Sequence, residues 1–149
     1  LELDIPTIKA GYTEGIRWRP QAETFLRHLQ ASHLDVVMIT NAHPLTLDMK
    51  AEQLPLAQWF DAMISSHHYG APKETPTFWD ALMTERPFDP QRTLFVDDSE
   101  YVLDSAQEFG IAHLLTLRQP DSSLPVRLTT RFPAIHHFEE ILEGLPDID

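Results

Sequence analysis

Two short segments of this chain, Asp35–Thr40 and Thr93–Asp98, have an apolar interior and a polar end. An apolar run of this length is typical of a strand that is buried on both faces of a parallel sheet. Asp61–Ser66 and Ala112–Leu117 are further predicted strands. Since amphipathic helices are predicted between these strands, we expect βαβ crossovers and an α/β fold, with a Rossmann-like parallel sheet flanked by helices.

Proline and glycine residues mark the ends of the predicted helices. The helices are predicted to begin near Pro20, Pro44, Pro76 and Ser99, and the last of them is predicted to end at Gly110. Residues 1–18 are predicted to form a short helix and a connector, residues 119–133 a loop, and residues 138–142 a final short helix.

The charge balance argues against nucleic acid as a partner. The 149 residues include 11 Lys and Arg against 23 Asp and Glu, which gives a formal charge of -12. Such a chain repels phosphate backbones, although a small anion can bind where a few cations are gathered. The sequence has no cysteine, no long apolar run and no secretory signal pattern, so we expect a single cytoplasmic domain without membrane contact.

Polar residues that suit a phosphate site follow the predicted strands. Thr40 and Asn41 end the first strand, Lys73 lies in the loop after the second, and Asp97 and Asp98 end the third. Ligands of parallel sheets bind beyond the carboxyl ends of the strands, so we expect these side chains to converge. Two adjacent acids need a cation, and hard oxygen ligands suit Mg²⁺. The pattern predicts a pocket for a phosphoryl group bridged by Mg²⁺.

Each of these residues also has a plain structural interpretation. Thr40 or Asn41 could cap the helix that follows, Lys73 could be a solvated loop lysine, and Asp98 or Ser99 could cap the next helix. The combination is far more specific than any single member, and it favours a functional site.

The order of these residues along the chain separates several families. A response-regulator receiver has its acid pair first and its lysine last, and neither a G-x-G-x-x-G pattern nor a P-loop is present. The order resembles that of the haloacid dehalogenase-like hydrolases, with Thr40 similar to their second motif, Lys73 to their third, and Asp97-Asp98 to their fourth. Three longer stretches resemble the bacterial GMP/IMP-type 5'-nucleotidases of that superfamily: Ile39–Pro44, Gly70–Glu74 and Thr93–Glu100. The resemblance runs from about Pro20 to Gly110, and more weakly to the end of the chain.

This resemblance implies a magnesium-dependent phosphatase of small phosphate esters, most closely of purine 5'-nucleotides. Asp98 would ligate Mg²⁺ directly, and Asp97 would support the ion directly or through water. The Thr40 hydroxyl and the Asn41 backbone N–H would bind phosphoryl oxygens, and Lys73 would neutralise their charge.

Histidines near this site allow more than one interpretation. His43 follows Thr40-Asn41 and could contact the substrate, cap the next helix or be solvated. The adjacent pairs His67-His68 and His136-His137 lack the spacing of metal ligands and are expected at the surface.

One departure from the family concerns its first motif, D-x-D-x-[TV], which holds the nucleophilic aspartate and the acid/base aspartate. Nothing in this sequence matches it. The resemblance implies that residues 1–19 are a remnant of the cap and linker and that residues 20–149 form the core. The sheet is then expected to lack a strand between those ending at Thr40 and Asp98.

An upstream piece, a rearranged sheet or strand exchange between copies would fill that position, and the last of these would make an oligomer. We therefore expect the parent protein to form an aspartyl-phosphate and this chain alone to be inactive. The alternative is a non-catalytic module that binds phosphate or a partner.

Overall fold

The described part of the chain is built around one parallel sheet. The computed structural model describes residues 7–12, 27–53, 58–117 and 130–135. The strands are β1 (Thr7–Tyr12), β2 (Asp35–Thr40), β3 (Ala62–Ser65), β4 (Thr93–Val96), β5 (His113–Leu117) and β6 (Ala134–Ile135). They lie in the order β3-β2-β1-β4-β5-β6, and every pair of neighbours is parallel. The predicted α/β fold with a parallel sheet is confirmed.

Helices alternate with these strands. They are α1 (Pro44–Gln53), α2 (Pro76–Glu85) and α3 (Glu100–Phe109), with 3₁₀ turns at Ser66–Tyr69 and Pro90–Arg92. Residues 27–30, which belong to the helix predicted from Pro20, are also helical. Among the described residues, none of the helices has the length and apolar character needed to cross a membrane.

The core forms where the apolar sides of α2 and α3 meet the sheet. Val37, Ile39 and Phe95 of the strands are fully buried. The helix residues packed with them are Phe78, Trp79, Leu82, Val102, Leu103 and Ala106. Burying this apolar surface holds the strands in place, and the polar residues that follow them are thereby brought to one edge.

The helix starts predicted near Pro44, Pro76 and Ser99 and the end at Gly110 are confirmed in position but not in every contact. The start predicted near Pro20 lies outside the described residues. Gly110 adopts a left-handed φ of 112° and its N–H donates to the Ala106 carbonyl, as expected for the end of α3. Thr75 occupies the N-cap position of α2, but its hydroxyl donates to the Pro72 carbonyl instead of capping the helix.

The N-terminal prediction is wrong in two respects. Thr7–Tyr12, predicted within a short helix and connector, is a strand, and it lies at the centre of the sheet between β2 and β4. Tyr12 pairs with Thr40 on one side and Ala10 with Val96 on the other. The sheet is therefore continuous at the position expected to be empty. Two buried strands leave rows of backbone donors and acceptors unpaired unless a strand lies between them, and β1 meets this need.

The boundary after residue 19 stays a prediction, although residues 7–12 on its N-terminal side belong to the sheet.

Two local features were not predicted. The segment after β3 contains a 3₁₀ turn that ends at Gly70, whose φ is 65°, and β6 follows the predicted loop. Residues 119–129 of that loop and the helix predicted at residues 138–142 lie outside the described residues.

A proline at the centre of the sheet tests the position of β1. Ala10→Pro removes a backbone donor from a strand that is paired on both sides. We expect the free energy of unfolding in urea to fall by at least about 2 kcal/mol. The control is Ala10→Val, which keeps the N–H. Equal stability of the proline and valine variants would contradict the central position of residues 7–12.

Candidate functional site

The carboxyl edge of the sheet collects the predicted site residues from three strands. Thr40 is fully buried at the end of β2, and Asp97 and Asp98 directly follow β4. Lys73 lies in the segment between β3 and α2 and is only 2% exposed. The interpretation of Lys73 as a solvated loop lysine is therefore wrong.

A buried ion pair joins Lys73 to Asp97. The Lys73 Nζ lies 2.8 Å from the Asp97 Oδ2, and both side chains are shielded from solvent. Burial raises the pKa of the Asp97 carboxyl to about 6, and the Lys73 ammonium opposes this shift only in part. The repulsion of Asp98 adds to the rise. Each buried charge stabilises the other, because a buried charge without its partner would carry the full desolvation penalty.

The second oxygen of Asp97 is also engaged within the protein. Its Oδ1 accepts from the Ser99 N–H at 2.8 Å, while Ser99 makes no side-chain cap at the start of α3. Both Asp97 oxygens thus accept hydrogen bonds from groups of the protein itself. Asp98 is less buried than Asp97, so of the two predicted metal ligands it is better suited to direct coordination.

The backbone of Lys73 is held from both sides. Its N–H donates to the Asn41 Oδ1, and its carbonyl accepts from the Trp79 Nε1, each at 3.0 Å. The Asn41 Nδ2 donates in turn to the Glu74 Oε1 at 2.7 Å. Asn41 therefore links the ends of the predicted second and third motifs. Sequence reasoning missed the roles of Trp79 and Glu74, since a core tryptophan and an exposed glutamate carry no local signal of such contacts.

The residues after β2 form a tight turn rather than a threonine or asparagine cap. The Thr40 Oγ1 accepts from the Ala42 N–H at 3.0 Å. The contact to α1 comes from His43, whose Nδ1 accepts from the Leu45 N–H at 3.1 Å. The capping interpretation of His43 is thus realised through one ring nitrogen, and the exposed ring lies beside that of His67.

The donor set at this edge matches Mg²⁺ better than a nitrogen-preferring metal. The described residues contain no group of three or more His, Asp or Glu side chains arranged to hold a metal ion. Mg²⁺ commonly uses one or two protein carboxylates and completes its shell with water and substrate phosphate. Asp98, directly after Asp97 at the end of β4, offers one such carboxylate.

The central strand β1 has no carboxylate that could attack a phosphorus atom. Thr7–Tyr12 contains neither Asp nor Glu, although β1 lies between the strands that carry Thr40 and Asp97. The edge therefore combines the Lys73 ammonium, the donors at the end of β2 and the adjacent Asp97 and Asp98 carboxylates.

Comparison with known proteins supports the family resemblance. A sequence model of the haloacid dehalogenase-like hydrolases matches residues 9–110. The GMP/IMP nucleotidase YrfG of Escherichia coli (strain K12) is 36% identical over 121 residues, which cover 81% of this chain and 54% of that protein. The chain thus spans about half the length of the curated relatives it matches.

Solved structures show the same fold at lower identity. A haloacid dehalogenase-superfamily hydrolase of subfamily IA from Geobacter sulfurreducens has a TM-score of 0.65 at 22% identity, covering 84% of this chain and 54% of that chain. YfnB from Bacillus subtilis, in a structure bound to magnesium, has a TM-score of 0.67 at 22% identity, covering 83% and 54%. These similarities show a Rossmann-type fold shared with the superfamily.

The interdependence of the buried ion pair can be measured by a double-mutant cycle. Lys73→Met leaves the Asp97 carboxylate buried without its cation, and we expect a loss of about 3–5 kcal/mol in urea unfolding. Adding Asp97→Asn removes that charge, so the double variant should be less destabilised than the two single losses together. Strictly additive losses would contradict a coupled pair.

The pKa of Asp97 predicts a pH dependence of stability in metal-free buffer. Between the ordinary value of 3.8 and about 6, the folded protein holds this proton more often than the unfolded chain. The contribution of Asp97 to the free energy of unfolding therefore falls as pH rises through this window. Urea unfolding of the unmodified chain and Asp97→Asn at several pH values isolates the effect. A contribution that increases with pH across the window would show that the pKa is lowered instead.

Proposed function

Because this chain belongs to the haloacid dehalogenase-like hydrolases, we propose that its site binds Mg²⁺ and a small phosphate ester and serves a magnesium-dependent phosphatase. The proposed substrates are purine 5'-nucleotides. The sequence identity to a relative named as a GMP/IMP nucleotidase supports this choice of substrate.

The observation that carries this proposal is the hydrogen-bonded connection of Asn41, Lys73 and Asp97. The Asn41 Oδ1 accepts from the Lys73 N–H at 3.0 Å, and the Lys73 Nζ reaches the Asp97 Oδ2 at 2.8 Å. Residues predicted from separate parts of the sequence thus share one edge with fixed geometry. A preorganised cation and donors of this kind suit the negative charge of a phosphoryl group.

Each side chain has a proposed role at this edge. Asp98 ligates the metal, and Asp97 supports the site by holding the Lys73 ammonium. The Thr40 hydroxyl and the Asn41 backbone N–H donate to phosphoryl oxygens, Lys73 offsets their charge, and His43 contacts the substrate. When bound, Mg²⁺ supplies further positive charge to the phosphoryl oxygens and orients them.

The absence of a carboxylate from β1 bears on the attack step. In the family mechanism an aspartate attacks phosphorus, so a carboxylate from outside Thr7–Tyr12 would have to act. This observation favours a second candidate function for this chain, namely a module that binds Mg²⁺ and phosphate without turnover. The two candidates share the same binding residues and differ only in the nucleophile.

Several broader expectations remain predictions. The acidic balance of the chain argues against a nucleic-acid partner, and we propose a cytoplasmic location without membrane contact. Oligomerisation through an incomplete sheet loses its basis, because β1 fills the central position.

Binding and turnover of GMP test the proposed site. We expect the chain to bind GMP in a Mg²⁺-dependent manner by calorimetry, and Asp98→Asn to weaken Mg²⁺ binding at least about tenfold, since a direct ligand is lost. Asp104→Asn is the control, because it removes the same charge from a carboxylate on α3 that pairs with Arg131.

Phosphate release from GMP separates the two candidates. Release that disappears in Asp98→Asn supports the phosphatase and requires a carboxylate from outside β1. Mg²⁺-dependent binding without release supports the binding module. A GMP affinity that is changed neither by EDTA nor by Asp98→Asn would contradict the proposed site.

A further inference from the structure

Two imidazole rings meet beside the phosphate-binding edge. His43 follows β2 and His67 follows β3, and both side chains are exposed. Their ring centroids are 5.2 Å apart with an interplanar angle of 63°, an edge-on contact. Although the two residues are distant in sequence, neighbouring parallel strands bring them to the same end of the sheet.

One buried hydroxyl holds the two segments that carry these rings. The Ser65 Oγ donates to the Ala42 carbonyl at 2.6 Å and accepts from the His67 N–H at 3.2 Å. Ser65 is only 6% exposed, so these hydrogen bonds are protected from competition with water. The backbone next to each ring is therefore anchored to the same side chain, which positions the rings relative to one another.

The hydrogen-bonding role of His43 is set by its contact with α1. Its Nδ1 accepts from the Leu45 N–H at 3.1 Å. A neutral imidazole that accepts at Nδ1 carries its proton at Nε2, so His43 offers a donor at that atom. A ring fixed in this tautomer can donate to a hydroxyl or carbonyl oxygen of a ligand.

His43 lies close in the chain to the residues proposed to bind phosphate. His43 is two residues beyond Asn41, so their Cα atoms are within about 8 Å of each other. His43 is therefore near enough in the chain to contact an organic group, such as a sugar with its base, that is attached to a phosphate at this edge. The rings also belong to no larger metal-binding cluster among the described residues.

We propose that His43 and His67 form an imidazole pair that recognises the organic part of a nucleoside 5'-monophosphate. This inference rests on the proposed function and adds His67 and the positioning residue Ser65 to it. His43 donates from Nε2 to an oxygen of the nucleoside, and His67 provides an aromatic surface for the base, since imidazole rings stack on nucleobases. The pair contributes to the affinity for the nucleoside portion and not to that for the phosphate group.

The neighbouring His68 provides a matched control for His67. His68 lies in the same 3₁₀ turn and is also exposed, but its ring contacts Tyr69 and its Nε2 pairs with Glu85. Replacing His68 with alanine therefore removes an equal side chain without disturbing the contact between His43 and His67.

Calorimetric titration of the full chain in Mg²⁺ compares GMP with inorganic phosphate. We expect His67→Ala to weaken GMP binding about five- to tenfold, with phosphate affinity unchanged, and His68→Ala to match the unmodified chain. Ser65→Ala keeps both rings but releases their anchoring, and it should weaken GMP binding while sparing phosphate.

Ring-proton NMR signals give a second readout that a purely structural role would not move. The signals of His43 and His67 should shift on addition of GMP and stay in place with phosphate, while those of His68 should respond to neither. Equal GMP affinities of the His67→Ala and His68→Ala variants, with unshifted His43 and His67 signals, would overturn this inference and leave the phosphate site intact. Failure of the unmodified chain to bind either GMP or phosphate would overturn the proposed function as well.

Discussion

The buried pair of Lys73 and Asp97 is the interaction on which the arrangement of the edge depends. Both charges have left water, so their contact at 2.8 Å has to be maintained by the surrounding protein. Asn41 anchors the Lys73 N–H from the end of β2, and Trp79 anchors its carbonyl from α2. The pair thereby ties two strand ends and one helix together, and it does so through Asp97, the direct chain neighbour of Asp98.

Trp79 connects this edge with the hydrophobic core. Its side chain is fully buried, and its ring lies 5.1 Å from those of Phe78 and Phe95. The same indole uses its N–H to hold the Lys73 carbonyl. Close packing therefore restricts where the lysine backbone can lie, because moving the indole would disturb aromatic contacts on several sides. The precision of the proposed site is thus set by core residues that would never touch a ligand.

The central strand β1 completes the sheet but lacks the carboxylate that the chemistry of the family requires. β1 completes the pairing of β2 and β4, yet it includes Lys9 and Gly11 where a buried parallel strand is usually a continuous apolar run. The helical spacing of Leu3, Ile5, Ile8 and Tyr12, together with Gly11 and Gly15, instead predicts a helix and a connector over residues 1–18. Backbone pairing is satisfied by any strand of suitable length, whereas attack on phosphorus requires a carboxylate in one position. The fold is therefore compatible with a strand that supports binding without supplying a nucleophile.

The sequence by itself determined the α/β fold class with a parallel sheet and the ends of β2 and β4, because apolar runs and the polar residues that end them are local signals. It also identified the candidate site residues Thr40, Asn41, Lys73, Asp97 and Asp98. Tertiary structure alone decided that β1 fills the sheet, that Lys73 is buried against Asp97, and that His43 meets His67 through the anchoring of Ser65. These outcomes depend on pairing and packing between residues far apart in the chain. The local pattern around each residue is the same whether or not its distant partner is present.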